Sequence, residues 1–229
     1  MITPLPILLF AAGKGKRMRH LAADRPKPLV PVAGRPLLDH ALRHATPDLA
    51  APRVINLHTR GQMIRDWVSD PEVIFSDESD ALLETGGGLR KAVPLLGSGP
   101  VFTMNTDTIF AGPNPLAVLA QAWRPEMGAL LLCVETGKAA GHPGRGDFDY
   151  HPDGQITRGS AAIYTGVQII DPAVLDRIDQ TAYSMNVAWD ILAQEGRLFG
   201  TPYPGRWCDV GQPESIPLAE ALIAQTADV

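Results

Sequence analysis

The chain has 229 residues, of which 45% are hydrophobic and 20% are charged, a composition typical of a globular protein and not of a disordered one. Its formal net charge of −5 argues against nonspecific nucleic-acid binding, which usually requires a basic surface. The two cysteines, Cys133 and Cys208, are far apart, which excludes a disulfide scaffold or a four-cysteine zinc site and predicts a reducing, cytoplasmic compartment. The sequence shows no signal peptide and no apolar run of about 20 residues, the length of a membrane span.

In the first half of the chain, short apolar runs alternate with amphipathic stretches. In chain order, this pattern predicts a strand over 6–11, a helix over 36–45, a strand over 54–57, a helix over 62–68, strands over 73–75 and 101–104, a helix over 116–123 and a strand over 129–134. Strand–helix alternation at this spacing is typical of βαβ units. The predicted fold class is therefore α/β, with a mostly parallel sheet flanked by helices.

The second half of the chain is less regular. In chain order, it predicts a hairpin of 148–150 and 155–158, a strand over 161–170 interrupted at Gly166, a helix beginning at Pro172, a helix over 184–195 closed by Gly196, a strand over 206–210 and a helix over 213–225. Because no linker divides the sequence, we predict a single domain over residues 1–229.

A glycine- and lysine-rich loop, residues 13–17, follows the first predicted strand directly. Gly13 and Gly15 let the backbone turn sharply and present its N–H groups to an anion, and the basic side chains add positive charge. Open α/β sheets bind ligands at the carboxyl ends of their strands, so this segment predicts a phosphate-binding loop rather than a basic surface turn. It is not a P-loop, since Phe10 stands where a glycine is needed, and it is not a dinucleotide fingerprint, since Met18 replaces the third glycine.

Lys27 lies between Pro26 and Pro28, fourteen residues after Gly13. The two prolines restrict the backbone on both sides of the lysine. A lysine held in this way suits a charge that develops on a phosphate, because positioning and electrostatics dominate phosphoryl chemistry.

Two aspartates are candidate metal ligands. Asp107 follows the strand over 101–104, and Mg²⁺ is typically held by one or two carboxylates plus substrate phosphates. Asp209 has apolar neighbours on the strand over 206–210, where a carboxylate is costly to bury unless it is paired or bound to metal. An Asx turn at Asp107 and a structural ion pair at Asp209 are the alternative interpretations.

The loop and the Pro-Lys-Pro segment together resemble the sugar-phosphate nucleotidyltransferase family, whose members join a nucleoside triphosphate to a sugar 1-phosphate. Matching segments occur in the same order and spacing along the whole chain, at 11–18, 26–34, 83–88, 144–148 and 207–211. The resemblance implies a Rossmann-like, GT-A-like nucleotidyltransferase fold, in which 1–134 mainly binds the nucleotide and 135–229 mainly binds the sugar and completes the metal site. It further implies UTP, N-acetylmuramic acid α-1-phosphate and Mg²⁺ as substrates and cofactor, in cell-wall sugar recycling.

The resemblance also implies residue roles. Lys27 and Arg17 would be catalytic. The nucleotide would be bound by Ala12, Gly13, Lys14, Gly15, Arg17, Lys27, Glu84, Thr85, Gly86, Gly87 and Asn105. The sugar would be bound by Asn105, Gly146, Asp147, Thr165 and Gly166. Asp107 and Asp209 would be the metal ligands.

Two features depart from the family pattern. Thr106 stands where the family usually has glycine, and residues 183–190 do not match, which leaves the sugar open. The nucleobase is open as well, so a guanylyl-, cytidylyl- or thymidylyltransferase acting on another sugar phosphate, such as mannose 1-phosphate, is the main alternative.

Two other function classes compete: a metal-dependent glycosyltransferase and a non-catalytic nucleotide-binding module. A glycosyltransferase would not need Lys27 or the loop over 13–17. As partners we expect only the small-molecule substrates and, at most, a weak homodimer, with neither nucleic acid nor membrane.

Overall fold

A nine-stranded sheet forms the centre of the fold in the computed structural model, which describes residues 3–142 and 144–227. The strands are β1 Leu5–Phe10, β2 Pro31–Val32, β3 Arg35–Pro36, β4 Ala50–Leu57, β5 Val73–Asp77, β6 Val101–Asn105, β7 Thr108–Ala111, β8 Ala129–Glu135, β9 Ala139–Ala140, β10 Phe148–Tyr150, β11 Ile156–Arg158, β12 Ala162–Ile170, β13 Leu198–Pro202 and β14 Arg206–Asp209. The α-helices are α1 Leu37–Leu42, α2 Gly61–Trp67, α3 Glu84–Leu96, α4 Pro115–Ala122, α5 Met185–Gln194 and α6 Ile216–Ala227. Short 3₁₀ segments cover Lys16–Ala22, Lys27–Leu29, Thr136–Lys138, Pro172–Arg177 and Pro213–Ser215.

The sheet is parallel in its first half and mixed in its second. Its strand order is β11-β10-β12-β6-β1-β4-β5, and β8 pairs with β12 and β13. β1 runs parallel to β4 and β6, and β4 runs parallel to β5. β12 runs antiparallel to both β6 and β8. The predicted α/β class, with its parallel part built from the first half of the chain, is therefore confirmed.

Both faces of the parallel part are buried. Along β1, Ile7 and Leu9 belong to one core cluster, while Leu8 between them belongs to another. Alternate side chains of a strand point to opposite faces, so a continuous apolar run is what a strand covered on both faces requires. This explains why the first strand reads as an unbroken apolar segment.

Gly166 modifies a strand without ending it. β12 is continuous from Ala162 to Ile170, whereas the sequence predicted an interruption. Gly166 has a φ of +87°, and the pairing of β12 with β8 shifts register between Tyr164 and Gln168. The glycine therefore makes an irregularity inside a paired strand, because its neighbours are held by hydrogen bonds on both sides.

A second, three-stranded sheet has the order β7-β14-β9 within the described residues. The sequence predicted β14 but not its partners, because β7 and β9 are short and follow polar or glycine-rich segments. This small sheet matters for the site, since β14 carries Asp209 and β7 begins directly after Asp107.

None of the helices in the described part of the chain is both long and apolar enough to cross a bilayer.

Candidate active site

A cavity of about 260 Å³ opens at the carboxyl edge of β1, β4 and β6. This is the edge at which open α/β sheets bind ligands. The wall includes the following residues with predicted roles: Ala12, Gly13, Lys27, Glu84, Thr85, Asn105 and Asp107. Residues from four separate predicted motifs therefore meet in one place.

The loop after β1 is packed against the Pro-Lys-Pro segment. Gly15 has a φ of +60°, and a Cβ at this position would lie 3.0 Å from the Cβ of Lys27. Gly13 and Lys14 are exposed. Arg17 is also exposed, and its Nη1 lies 3.3 Å from where a Cβ on Gly211 would be, so its guanidinium reaches the end of β14. The loop thus carries exposed basic residues that are not among the cavity-lining ones, and its second glycine contacts the segment that carries Lys27.

The Lys27 ammonium points at Asp107. Its Nζ donates to Asp107 Oδ2 at 2.6 Å, and the lysine side chain is 11% exposed. Lys27 begins a 3₁₀ turn in which the Val30 N–H donates to its carbonyl. The backbone conformation that the two flanking prolines favour therefore fixes this lysine on the cavity wall.

Asp107 and Asp209 are brought together by the small sheet. Asp209 pairs with Thr108 across β7 and β14, and the Val210 N–H donates to the Asp107 carbonyl at 2.8 Å. Burial and then the charge of Asp107 raise the pKa of the Asp209 carboxyl, while Lys27 and other nearby cations lower it. The His142 imidazole lies nearby, with its Nδ1 3.9 Å from Asp209 Oδ2.

Two carboxylates that repel each other beside a cavity are a suitable donor set for a divalent cation. Within the described ranges, no group of three or more His, Cys, Asp or Glu side chains is placed to hold a metal by itself. Asp107 and Asp209 are the residues that fit this role, with oxygens of bound phosphates as the remaining ligands.

Residues 84–88, the glycine segment, form the first turn of α3. Glu84 lies at the cavity with a φ of +59°, a left-handed conformation that costs a non-glycine residue free energy. Thr85 also lines the cavity, and its hydroxyl accepts from the Met185 N–H at 2.9 Å. These two side chains are the ones from this segment that contribute to the cavity wall.

Gly86 and Gly87 lie behind that wall, against the segment before α5. Their N–H groups donate to the Tyr183 carbonyl at 2.9 and 3.3 Å. A Cβ on Gly86 would lie 2.3 Å from the Tyr183 ring, and one on Gly87 would lie 2.3 Å from the Thr181 carbonyl oxygen. The segment thus needs glycine here for close packing, and the two amides are already bonded within the protein.

The segment over 183–190, which departs from the family pattern, therefore packs on the glycine segment. Further along α5, Trp189 is buried, and its Nε1 donates to Gln168 Oε1 on β12 at 2.8 Å. Asp190 pairs with Arg158 on β11. These contacts make α5 a packing helix whose N-terminal end supports the glycine segment.

On the sugar side, Asn105 and Gly166 are in contact. A Cβ on Gly166 would lie 2.8 Å from Asn105 Nδ2, and Asn105 lines the cavity. Gly166 therefore leaves room for the Asn105 side chain just beyond the last pair of β12 and β6, Val167 with Met104.

Apart from Asn105, none of the predicted sugar ligands is among the residues that line the cavity, and three of them are engaged within the fold. The buried Thr165 hydroxyl donates to the Leu132 carbonyl at 2.8 Å. Asp147 Oδ2 accepts from the Tyr164 N–H at 2.9 Å. Gly146 has a φ of +104° and lies directly against Ser160.

Among the lining residues without a predicted role are two buried polar ones near the ends of neighbouring strands, Asn56 and Glu78. Asn56 Oδ1 accepts from the N–H groups of Ala11 and Ala12 at 2.7 and 3.2 Å. Glu78 is fully buried, and burial raises the pKa of its carboxyl. Their position in the sequence could have identified them as site residues, since each is a polar residue close to the end of a predicted parallel strand.

A family model described as the MobA-like NTP transferase domain matches residues 7–175. N-acetylmuramate α-1-phosphate uridylyltransferase from Caulobacter vibrioides is 35% identical, over 97% of this chain and 98% of that protein. The protein with the same name from Neisseria meningitidis serogroup B is 32% identical, over 94% of this chain and 96% of its own length. Mannose-1-phosphate guanyltransferase beta-B from Xenopus laevis is 28% identical over 90% of this chain, which spans 61% of that relative.

Among solved structures, the inositol-1-phosphate CTP transferase from T. maritima superposes with a TM-score of 0.78. The match covers 99% of this chain and 97% of the other at 15% sequence identity. This similarity supports the fold.

Proposed function

The chain belongs to the MobA-like NTP transferase family and is therefore a nucleotidyltransferase, and from this premise we propose that it transfers a uridylyl group from UTP to a sugar 1-phosphate. The sugar phosphate that we propose is N-acetylmuramic acid α-1-phosphate, so the products are the UDP-sugar and pyrophosphate. The observation that carries this proposal is the 35% identity, nearly end to end, with a uridylyltransferase that is named for this substrate. The reaction would serve cell-wall sugar recycling in the cytoplasm, where UTP is found.

The reaction exchanges one phosphorus–oxygen bond for another. An oxygen of the sugar 1-phosphate bonds to the α-phosphorus of UTP, and the bond from that phosphorus to the bridging oxygen breaks. The electron pair leaves with pyrophosphate. Because a phosphate monoester has a second pKa of about 6, the attacking group is already largely a dianion at neutral pH and needs no general base.

The work of the protein is then to hold two polyanions in line and to neutralise charge. Lys27, on the cavity wall, would neutralise the α-phosphate as charge develops there. Arg17 and the amides of residues 13–15 would hold the β- and γ-phosphates, which become the leaving group. Glu84 and Thr85 line the same cavity and would border the nucleobase.

We propose Mg²⁺ as the cofactor, held by Asp107 and Asp209 together with phosphate oxygens. The fit rests on the position of the two carboxyls: burial and then the charge of Asp107 raise the pKa of the Asp209 carboxyl, and a divalent cation would offset both effects. When bound, the ion would supply Lewis-acid charge to the reacting phosphates.

Residues 135–229 would form most of the sugar-binding site, with Asn105 and Gly166 at the junction with the nucleotide-binding half. Their role is supported by the position of Asn105 on the cavity wall and by the close approach of Gly166 to its side chain. Gly146, Asp147 and Thr165 would act mainly by shaping the sugar side, since the latter two already bond within the fold.

Pyrophosphate release with Mg²⁺ tests the proposal. UTP, GTP, CTP and dTTP are each combined with the 1-phosphates of N-acetylmuramic acid, N-acetylglucosamine, glucose and mannose. We expect turnover with UTP and the muramic acid derivative to exceed every other pair. Turnover mainly with GTP and mannose 1-phosphate would replace the proposed substrates with those of the guanylyltransferase alternative.

The metal assignment is tested separately with Asp209→Asn. Asp176→Asn, in the 3₁₀ segment Pro172–Arg177 away from the cavity, is the matched control. We expect the first variant to require a much higher Mg²⁺ concentration for half-maximal rate and the second to behave as the wild type. An unchanged Mg²⁺ dependence in Asp209→Asn would contradict the assignment.

A further inference from the structure

Three buried polar side chains, Thr106, Asn56 and Glu78, lie on the cavity wall across the carboxyl ends of four adjacent strands, β6, β1, β4 and β5. We infer that these three side chains, called the polar belt below, position the predicted phosphate-binding loop over 13–17. They would do so by holding the backbone of residues 10–12, which leads into the loop, from both sides. The inference rests on the proposed function, since it assigns these side chains to the site of that reaction. They would be positioning residues and would act through the loop rather than on the substrate.

On one flank, Thr106 extends the connection between β1 and β6. The backbone pairing of these strands ends at Phe10 and Asn105. One residue further on, the Thr106 hydroxyl donates to the Phe10 carbonyl at 2.7 Å. Asp107 follows directly and accepts from Lys27, so this hydrogen bond ties the origin of the loop to the strand end that carries the metal-ligand candidate.

On the other flank, the Asn56 side chain bonds to the backbone that follows β1, just beyond the point where the backbone pairing of β1 and β4 ends. The last backbone pair of that ladder is Phe10 with Asn56. The Asn56 side-chain oxygen then accepts from the N–H groups of Ala11 and Ala12. Without this acceptor, two buried amides at the strand end would lack a partner, which costs free energy and frees the loop.

Glu78 determines which way the Asn56 amide faces. Asn56 Nδ2 donates to Glu78 Oε1 at 2.8 Å, and the amide must then turn its oxygen towards the loop. Gly88 of α3 leaves space for this pair, because a Cβ there would lie 2.8 Å from Glu78 Oε1 and 3.1 Å from Asn56 Nδ2. The two side chains are 2% and 0% exposed, so water does not readily replace a lost partner.

Exchanging donor and acceptor within the belt tests the inference, with the dissociation constant of UTP in the presence of Mg²⁺ as the readout. Asn56→Asp puts a second carboxyl beside Glu78, and we expect the Kd to rise about tenfold. Glu78→Gln keeps an oxygen that can accept from Asn56, so its Kd should change less than about threefold. The double variant Asn56→Asp/Glu78→Gln restores a hydrogen bond of reversed polarity and should return the Kd to within about threefold of the wild type. A double variant that binds no better than Asn56→Asp would overturn the inference.

The Thr106 flank is tested by a matched pair of variants. Thr103 lies on β6, is also buried, and accepts from Gln168 Nε2 at 3.1 Å, away from the loop. We expect Thr106→Val to lower kcat/KM for UTP about tenfold and Thr106→Ser to recover most of it. Thr103→Val should lower the melting temperature only. Equal kinetic effects in the two valine variants, or no recovery with serine, would refute the belt on this flank.

Different outcomes would refute the positioning role of the polar belt and the proposed function. Wild-type protein that binds UTP but transfers nothing would refute the function, while the Kd series would still decide the belt. Normal turnover in all belt variants would refute the belt alone, and a wild type that binds no nucleoside triphosphate would refute both. If Asn56→Asp does not fold, as judged by circular dichroism, the Thr106 and Thr103 variants decide.

Discussion

Of the residues predicted to bind nucleotide and metal, Lys27 and Asp107 pair with each other on the cavity wall, whereas Thr165 and Asp147, predicted to bind sugar, bond to backbone groups and do not line the cavity. The Lys27 ammonium donates to Asp107, and Arg17 is exposed with its guanidinium near the end of β14. By contrast, Thr165 donates to a β8 carbonyl and Asp147 accepts from a β12 amide. The two sets of predicted ligands therefore differ in their surroundings: the charged pair lines the cavity, and the other two side chains hold backbone groups within the fold.

The largest expected effect comes from removing the charge on the nucleotide side. Lys27→Ala should lower kcat by about 10²- to 10³-fold and raise KM much less, since the ammonium would act mainly on charge that develops in the transition state. Steady-state kinetics of pyrophosphate release measure both constants. Lys138→Ala, an exposed lysine paired with Glu135, is the control and should leave them unchanged. A Lys27 variant with unchanged kcat would remove this residue from the chemistry.

Substitutions at Gly86 in the glycine segment should change the stability of the protein more than its catalytic rate. Gly86→Ala places a methyl group into the Tyr183 ring and should lower the free energy of unfolding by about 1–3 kcal/mol. Gly137→Ala is the matched control, because nothing lies within 4 Å of a Cβ there. Denaturant unfolding compares the two. If Gly86→Ala were as stable as the control and only bound nucleotide less well, the glycine would serve the ligand directly.

The smallest effect is expected on the sugar side. Thr165→Val leaves the Leu132 carbonyl without its donor and should lower the free energy of unfolding by about 1 kcal/mol, with little change in KM for the sugar phosphate. Thr165→Ser keeps the hydroxyl and should restore the stability. A raised KM at unchanged stability would show that Thr165 contacts the sugar and would remove the contrast between the two sides.

Local patterns were sufficient to predict much of the fold. Apolar runs located β1, β4, β5, β6, β8 and β12. Their alternation with amphipathic helices predicted parallel pairing, because a buried strand and its crossover leave a strong signal in the sequence. Among the strands of the described residues, five were missed: β2, β3, β7 and β9 have four residues or fewer, and β13 has glycine, threonine and proline after only two apolar residues.

For the site, the sequence by itself determined which residues are candidates for phosphate binding and metal ligation, because the loop over 13–17, Lys27 and Asp107 are local motifs next to strand ends. Only the tertiary structure decided which groups meet. The small sheet brings Asp209 beside Asp107, although 102 positions separate them in the sequence. The tertiary structure also places Asn56 against the backbone at the start of the loop, with Glu78 bonded to it. It directs the Thr165 hydroxyl to a backbone carbonyl. Hydrogen-bond partners depend on the register of distant strands, and no motif of a few residues contains that register.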